Sequence, residues 1–99
     1  MNGVYSVMKF TYPAVFKKTE QGSFEGYFPD LAMCRVTGDS LDDAIRNAIE
    51  AEREWISLEL EEEDAELPAI TDPEDIDAAQ DEIVRSIGVN IRFFEGWDE

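Results

Sequence analysis

The chain has 99 residues, with 24 acidic and 8 basic side chains and a formal net charge of −16 at pH 7. This length fits one domain with a modest core, and such a negative charge disfavours direct binding to nucleic acid or to an anionic membrane. Histidine is absent, which removes the commonest general base and transition-metal ligand, and the single cysteine, Cys34, excludes an intrachain disulfide.

The first third of the chain predicts a small antiparallel sheet. Met8 to Lys17 is rich in Phe, Tyr, Val and Thr and alternates imperfectly, which indicates a strand. Pro13 inside this strand has no amide hydrogen, so it must face an edge or a bulge. Phe24 to Phe28 alternates again after a turn, so the two strands form a hairpin, and residues 34–37 predict a third short strand.

A long amphipathic helix follows the third strand. Ser40 is a good N-cap with Asp43 three residues later, as in a capping box, and Asp42 adds a second acid at the positive end of the helix dipole. Apolar residues recur at helical spacing from Leu41 to Leu60. The pattern predicts about 20 residues and roughly 30 Å of helix, enough to cover one face of the sheet.

The segment after the helix predicts two further elements. Ile76, Ala79 and Ile83 fall on one side of a short helix predicted over residues 75–86, and residues 89–94 alternate as a last strand. This strand joins the same sheet or that of a partner.

The predicted fold is α+β, in the order β-β-β-α-β, with an antiparallel sheet of three to four strands and one long helix on one face. Residues 1–70 form the β-β-β-α core. Residues 71–99 form a C-terminal helix and strand extension that completes the sheet or a dimer interface. No run approaches the roughly 18 apolar residues of a membrane span and the N-terminus lacks a secretory signal, so we expect a cytoplasmic protein.

Most of the negative charge lies in the helix and the segment after it. Residues 39–82 contain eighteen acids and two arginines, and the rest of the chain sums to zero. The acidic run from Glu59 to Glu66 has two interpretations. It is either a solvated helix end or a surface that attracts a basic partner through complementary charge.

Four sequence blocks resemble the HicB-like antitoxin family in their order and spacing. They are YPAVF over 12–16, FPDL over 28–31, Cys34, and TGDSLDDAIRNAIEA over 37–51, and together they cover roughly residues 8–68. The positions that carry the motif, read as structural, are Tyr12, Pro13, Phe28, Pro29, Asp30, Leu31, Cys34, Gly38 and Ser40.

This resemblance implies a reduced ribonuclease H-like fold and a protein that neutralises a HicA-type toxin. Such toxins are small basic proteins that cleave mRNA with a catalytic histidine, so we expect stoichiometric inhibition without a cofactor. A homodimer or higher homo-oligomer is expected through an exposed sheet edge. Many family members add a C-terminal DNA-binding domain, but the chain beyond Asp72 is short and acidic. The alternative is a solitary HicB-like binding or structural module without a toxin.

Two sets of residues are candidates for protein contacts. The aromatic residues near the C-terminus either pack in the core or anchor an interface, where aromatic side chains often dominate binding. The acids on and after the helix are candidates for the basic toxin. The aromatic set is Phe93, Phe94 and Trp97, and the acidic set is Asp42, Asp43, Glu50, Glu59, Glu62 and Glu63.

The residue pattern does not favour catalysis. Metal-dependent ribonuclease H chemistry needs converging carboxylates, but the first predicted strand has no acid, and only Glu25 and Asp30 remain nearby. Asp30 is better explained as a residue that orders its turn. Cys34 is better explained as a small buried hydrophobe, because no histidine can activate it. No EF-hand pattern supports calcium binding.

Overall fold

The computed structural model describes residues 5–62 and 64–94, in which a four-stranded antiparallel sheet carries one long helix on one face. The predicted α+β class and β-β-β-α-β order are confirmed. The elements are β1 (Tyr5–Lys18), β2 (Phe24–Tyr27), β3 (Arg35–Gly38), α1 (Leu41–Leu60) and β4 (Glu82–Phe94), with a 3-10 turn at Pro73–Asp75 between α1 and β4.

The sheet has the order β3-β2-β1-β4, so the first and last strands of the chain lie side by side. β1 pairs with β4 from Tyr5 opposite Phe94 to Lys17 opposite Glu82, whereas β2 pairs only with the last four residues of β1. Pro13 therefore lies in the part of β1 that β2 does not reach. A residue without an amide hydrogen fits there, because among the described strands β4 alone lies beside it.

The core lies between α1 and one face of the sheet. Alternate residues of β1 and β4 point to this face, as the period of two in a strand requires, and in β1 the intervening Pro13 and Val15 are buried as well. The apolar stripe of α1 packs on this face, and burial of this surface is the main stabilising contribution. The buried core residues in these three elements are Tyr12, Ala14, Phe16, Ala44, Ala48, Ile56, Ile87, Val89 and Ile91.

The predicted helix over 75–86 is wrong. The 3-10 turn ends at Asp75, and β4 begins at Glu82, so the predicted strand over 89–94 is present but starts earlier. The apolar residues Ile83 and Ile87 fit both a helical period and a strand period. The strand forms because pairing with β1 continues as far as Lys17 opposite Glu82, which places Ile83 opposite Phe16 and Ile87 opposite Tyr12.

Candidate functional site

The turn between β2 and β3 is closed by its own backbone. The Leu31 N–H donates to the Phe28 carbonyl at 3.2 Å, the Cys34 N–H donates to the Leu31 carbonyl at 3.1 Å, and the Phe28 N–H donates to the Cys34 carbonyl at 3.1 Å. Phe28, Leu31 and Cys34 are all buried. The burial predicted for Cys34 is therefore confirmed, and the turn is fixed to the core.

Asp30 connects this turn to the segment that follows α1. Its Oδ2 accepts a hydrogen bond from the Thr71 N–H at 2.8 Å, and its Oδ1 accepts one from the Thr71 hydroxyl at 2.6 Å. The Tyr12 hydroxyl holds the same segment by donating to the Pro68 carbonyl at 2.6 Å. Asp30 thus forms its hydrogen bonds with a residue 41 positions later in the sequence, rather than with its own turn.

The start of α1 is fixed by Gly38 and Ser40. The Ser40 Oγ accepts from the Asp43 N–H at 3.1 Å, so the predicted N-cap is confirmed. Gly38 packs so tightly against the first turn that a Cβ there would lie 2.7 Å from the Ala44 Cα. Asp42 and Asp43 both lie in the first turn, where the helix dipole favours negative charge.

The acids predicted to contact a partner do not form one surface. Asp43 pairs with Arg46 at 3.2 Å and Glu50 pairs with Arg53 at 3.0 Å, both at the exposed surface of α1. Asp43 and Glu50 are seven residues apart and so share one side of the helix. Asp42 and Glu62 are exposed but flank that side, and Glu63 lies outside the described residues.

Glu59 lies on the opposite side of α1, towards the core. It follows the buried Glu52 by seven residues and is itself half-buried. Its carboxylate therefore adds to the negative electrostatic field around the end of α1. It is not placed to contact a partner on the solvent side of the helix.

Charge differs between the two sides of the molecule. Directly opposite residues in an antiparallel sheet share a face, so the pairings place Lys17 beside Glu25 and Glu82 on the face turned away from α1. The Lys17 ammonium lies 3.7 Å from Asp81, and the Arg35 guanidinium lies 6.0 Å from the centre of the Tyr27 ring. The basic residues placed on this open face are Lys9, Lys17, Arg35 and Arg92.

Glu52 is a buried carboxyl in the middle of the apolar stripe of α1. Its side chain has no solvent exposure, and neither Oε1 nor Oε2 has a hydrogen-bond partner among the described residues. Burial raises the pKa of Glu52 to about 8, while the nearby Tyr12 backbone amide and the Arg53 charge lower it only in part. Glu52 is therefore mostly protonated and neutral near pH 7.

Two further titratable groups lie near Glu52. Burial raises the pKa of the Cys34 thiol, and the Glu52 charge raises it further. Burial, Asp30 and Glu52 together raise the pKa of the Tyr12 hydroxyl. Both groups therefore stay protonated, and a protonated buried thiol is a poor nucleophile. This cluster has the chemistry of a packed core rather than of a reactive centre.

The family model of HicB-like antitoxins of bacterial toxin–antitoxin systems matches residues 12–92. The chain belongs to the HicB-like antitoxin family. A comparison with curated proteins finds no match. The matched range includes β1 from Tyr12, the closed turn, α1 and nearly all of β4, so family membership rests on most of the fold described above. The general role of this protein is accordingly that of an antitoxin in a toxin–antitoxin system.

The carboxylates of this HicB-like antitoxin do not converge within the part of the chain that the structure describes. No group of three or more His, Cys, Asp or Glu side chains there is placed to hold a metal ion. Glu25 is exposed on the open face of the sheet, and both carboxylate oxygens of Asp30 are bonded to Thr71.

No helix among the described residues is long and apolar enough to cross a membrane.

Sequence reasoning missed two features of this antitoxin. The burial of Glu52 has a signal, because Glu52 stands four residues from both Ala48 and Ile56 in the apolar stripe. The hydrogen bonding of Asp30 to Thr71 has no signal in the sequence, because it joins two irregular segments. Phe93 and Phe94 lie in β4, but their side chains and Trp97 lie outside what the structure describes.

Proposed function

We propose that this antitoxin binds a basic HicA-type toxin and covers the surface with which the toxin binds or cleaves mRNA. The observation that supports this proposal is the concentration of negative charge in one part of the chain. Eighteen acids and two arginines lie in residues 39–82, which comprise α1 and the segment after it. A protein that binds RNA presents a cationic surface, and the acids of α1 and the segment after it are complementary in charge to such a surface.

Complementary charge has a defined physical effect on such a complex. It raises the rate of association and disfavours acidic or neutral partners, while apolar burial at the centre of the interface slows dissociation. The acids that this proposal places at the toxin are Asp42, Asp43, Glu50 and Glu62, since they lie on or beside the solvent side of α1. Glu59 contributes to the field from its half-buried position.

Inhibition in this proposal is by occupancy. The chain catalyses no reaction and needs no cofactor, because covering the RNA-binding surface or the catalytic histidine of the toxin is sufficient. The protein acts in the cytoplasm, where the mRNA substrate of the toxin is found. It does not bind DNA directly, since its net charge of −16 repels the phosphate backbone.

Self-association through β4 is part of the proposal. β4 is an edge strand, and no described strand pairs with its outer side over Glu82–Phe94. Beyond the end of β2, β1 and β4 form a two-stranded ribbon, which is only marginally stable alone. Pairing of β4 with β4 of a second copy would cover this edge. Light scattering after size-exclusion chromatography is expected to give the mass of a dimer; a monomer at all concentrations would exclude it.

The test of the function is co-expression with the product of the adjacent gene. If that gene encodes a short basic protein with a histidine, we expect the two proteins to co-purify and the antitoxin to restore growth to cells that express the toxin. A toxin variant without its histidine should still co-purify. Absence of such a gene, or growth arrest that the antitoxin does not relieve, would favour the solitary binding module instead.

A further inference from the structure

An apolar patch lies beside the solvent side of α1. Its members are Met33, Ala51, Trp55 and Leu58, and we call it the Met33 patch. They line a groove of about 210 Å³ together with Cys34, Arg35 and Glu54. The Met33 side chain is 94% exposed and that of Leu58 is 59% exposed, so the patch presents large apolar groups directly to solvent.

Met33 has an unfavourable backbone conformation as well as an exposed side chain. Its φ angle of 61° lies in the left-handed region, and Met33 is the one described non-glycine residue with a positive φ. A Cβ is disfavoured in this conformation, and glycine would adopt it without strain. Because the side chain is almost wholly exposed, its burial in the fold does not offset that strain. Such a residue is better explained by a contact outside the fold.

The patch is held rigidly in place. The Trp55 Nε1–H donates to the Ala32 carbonyl at 3.0 Å, which ties α1 to the residue before Met33. The turn is also closed by the backbone hydrogen bonds between Phe28, Leu31 and Cys34. A partner would therefore meet a preorganised surface, and little further conformational entropy would be lost on binding.

The charge around the patch indicates which kind of partner fits. Glu54 lies four residues before Leu58 on α1, and the exposed Glu61 and Glu62 directly follow the end of the helix at Leu60, so acids precede and follow Leu58. We propose that the Met33 patch is the central contact of the toxin, which inserts an apolar side chain into the groove and places lysines or arginines over these acids. This inference rests on the proposed function and names its contact surface.

The experiment measures the dissociation constant for the toxin encoded beside this gene, made with its catalytic histidine replaced by alanine. Met33→Gly removes the side chain and fits the left-handed backbone, so its melting temperature should equal or exceed that of the wild type. Its dissociation constant should rise at least about ten-fold, as at a binding hot spot. Ile70→Ala is the matched control, because Ile70 is 56% exposed outside the patch and its loss should leave binding unchanged.

Each outcome is decisive. If the wild type binds the toxin and Met33→Gly binds equally well, or Ile70→Ala loses as much affinity, the patch assignment is overturned and the proposed function stands. If Met33→Gly changes the oligomeric state but leaves toxin affinity unchanged, a second copy occupies the patch and the assignment is also overturned. If the wild type does not bind the toxin, both the patch and the proposed function are overturned.

A spectroscopic readout separates direct contact from indirect effects. With the methionine methyl groups labelled with carbon-13, the Met33 signal should shift when the inactive toxin is added. The Met8 signal is the internal reference, since Met8 is 49% exposed on β1, outside the patch. Equal shifts at both methionines, or a shift at Met8 alone, would overturn the assignment.

Discussion

Asp30 and Thr71 are joined by two hydrogen bonds, of 2.8 and 2.6 Å, that connect the β2–β3 turn to the segment between α1 and β4. This segment crosses from the end of the helix to the edge of the sheet with only a short 3-10 turn of its own. Its position therefore depends on side chains from elsewhere in the fold. Asp30 and Tyr12 supply these contacts, so two residues of the family motif have a structural task.

Asp30→Ala should lower the free energy of unfolding by about 2 kcal/mol, because two hydrogen bonds to a charged group are lost and the Thr71 donors remain. Affinity for the toxin per folded molecule should be unchanged. Urea unfolding measures the free energy of unfolding, and titration of the folded protein with the toxin measures the affinity. Thr71→Ala should lower the free energy of unfolding less when Asp30→Ala is already present than when it is made alone, since both changes remove the hydrogen bond from the Thr71 hydroxyl to Asp30. A larger loss of affinity than of stability would make Asp30 a contact residue.

Glu52 should make stability depend on pH. Its folded-state pKa of about 8 lies above the ordinary value of 4.5, so its protonated form stabilises the fold fully below about pH 4.5. That contribution is lost at about 1.4 kcal/mol per pH unit as the pH rises from 4.5 through 8. Glu52→Gln should remove this part of the dependence and be the more stable protein at pH 8.

Unfolding by urea between pH 5 and 9 checks the effect of Glu52, and Glu54→Gln on the exposed side of α1 is the matched control. The control should follow the wild-type curve, apart from a small uniform offset. Parallel curves for the wild type and Glu52→Gln would mean that Glu52 is ionised in the folded protein or has a partner.

Gly38→Ala should destabilise the fold by about 2 kcal/mol through overpacking. The added Cβ would fall 2.7 Å from the Ala44 Cα, and backbone atoms in a helix cannot move aside cheaply. Gly88→Ala is the comparison, because its Cβ would meet only side-chain atoms, the Lys9 Cε at 3.0 Å and the Thr11 Oγ1 at 3.2 Å, and no backbone within 4 Å among its nearest contacts. Thermal unfolding should show a clear loss for Gly38→Ala and little change for Gly88→Ala. Equal losses would contradict this account of Gly38.

Association with the toxin should slow as salt is added, since the acids of α1 and the segment after it steer a basic partner. We expect the association rate constant to fall roughly ten-fold or more between low and high salt. Stopped-flow mixing across a salt series measures this rate. Neutralising the exposed Glu50 and Glu54 with glutamine should flatten the response. A rate independent of salt would remove the acids from the recognition step.

The elements that the sequence predicts well are those determined locally. Ser40 caps α1 through its own side chain, and the apolar stripe of the helix is visible in the spacing of its residues. The segment from Ile76 to Ile87 could not be assigned correctly, because its apolar spacing fits two periods. Pairing with β1, far away in the sequence, decides for the strand.

The candidate site was predictable only in outline. Charge concentration in α1 is read directly from composition, but acids on an exposed helix are chemically equivalent, so their spacing does not tell which of them a partner contacts. Glu59 illustrates this, since it belongs to the acidic run yet lies on the core side. The Met33 patch depends on one backbone angle and on the closeness of a turn to a helix, and sequence spacing predicts neither.

The most direct measurement of the central claim is RNA cleavage by the purified toxin as this antitoxin is titrated in. Masking of the RNA-binding or catalytic surface predicts that cleavage falls in proportion to the antitoxin added and ends at a stoichiometric ratio. Glu52→Gln, which changes only a buried side chain, should inhibit as well as the wild type. A stable complex that still cleaves RNA at full rate, or no inhibition at excess antitoxin, would contradict the account.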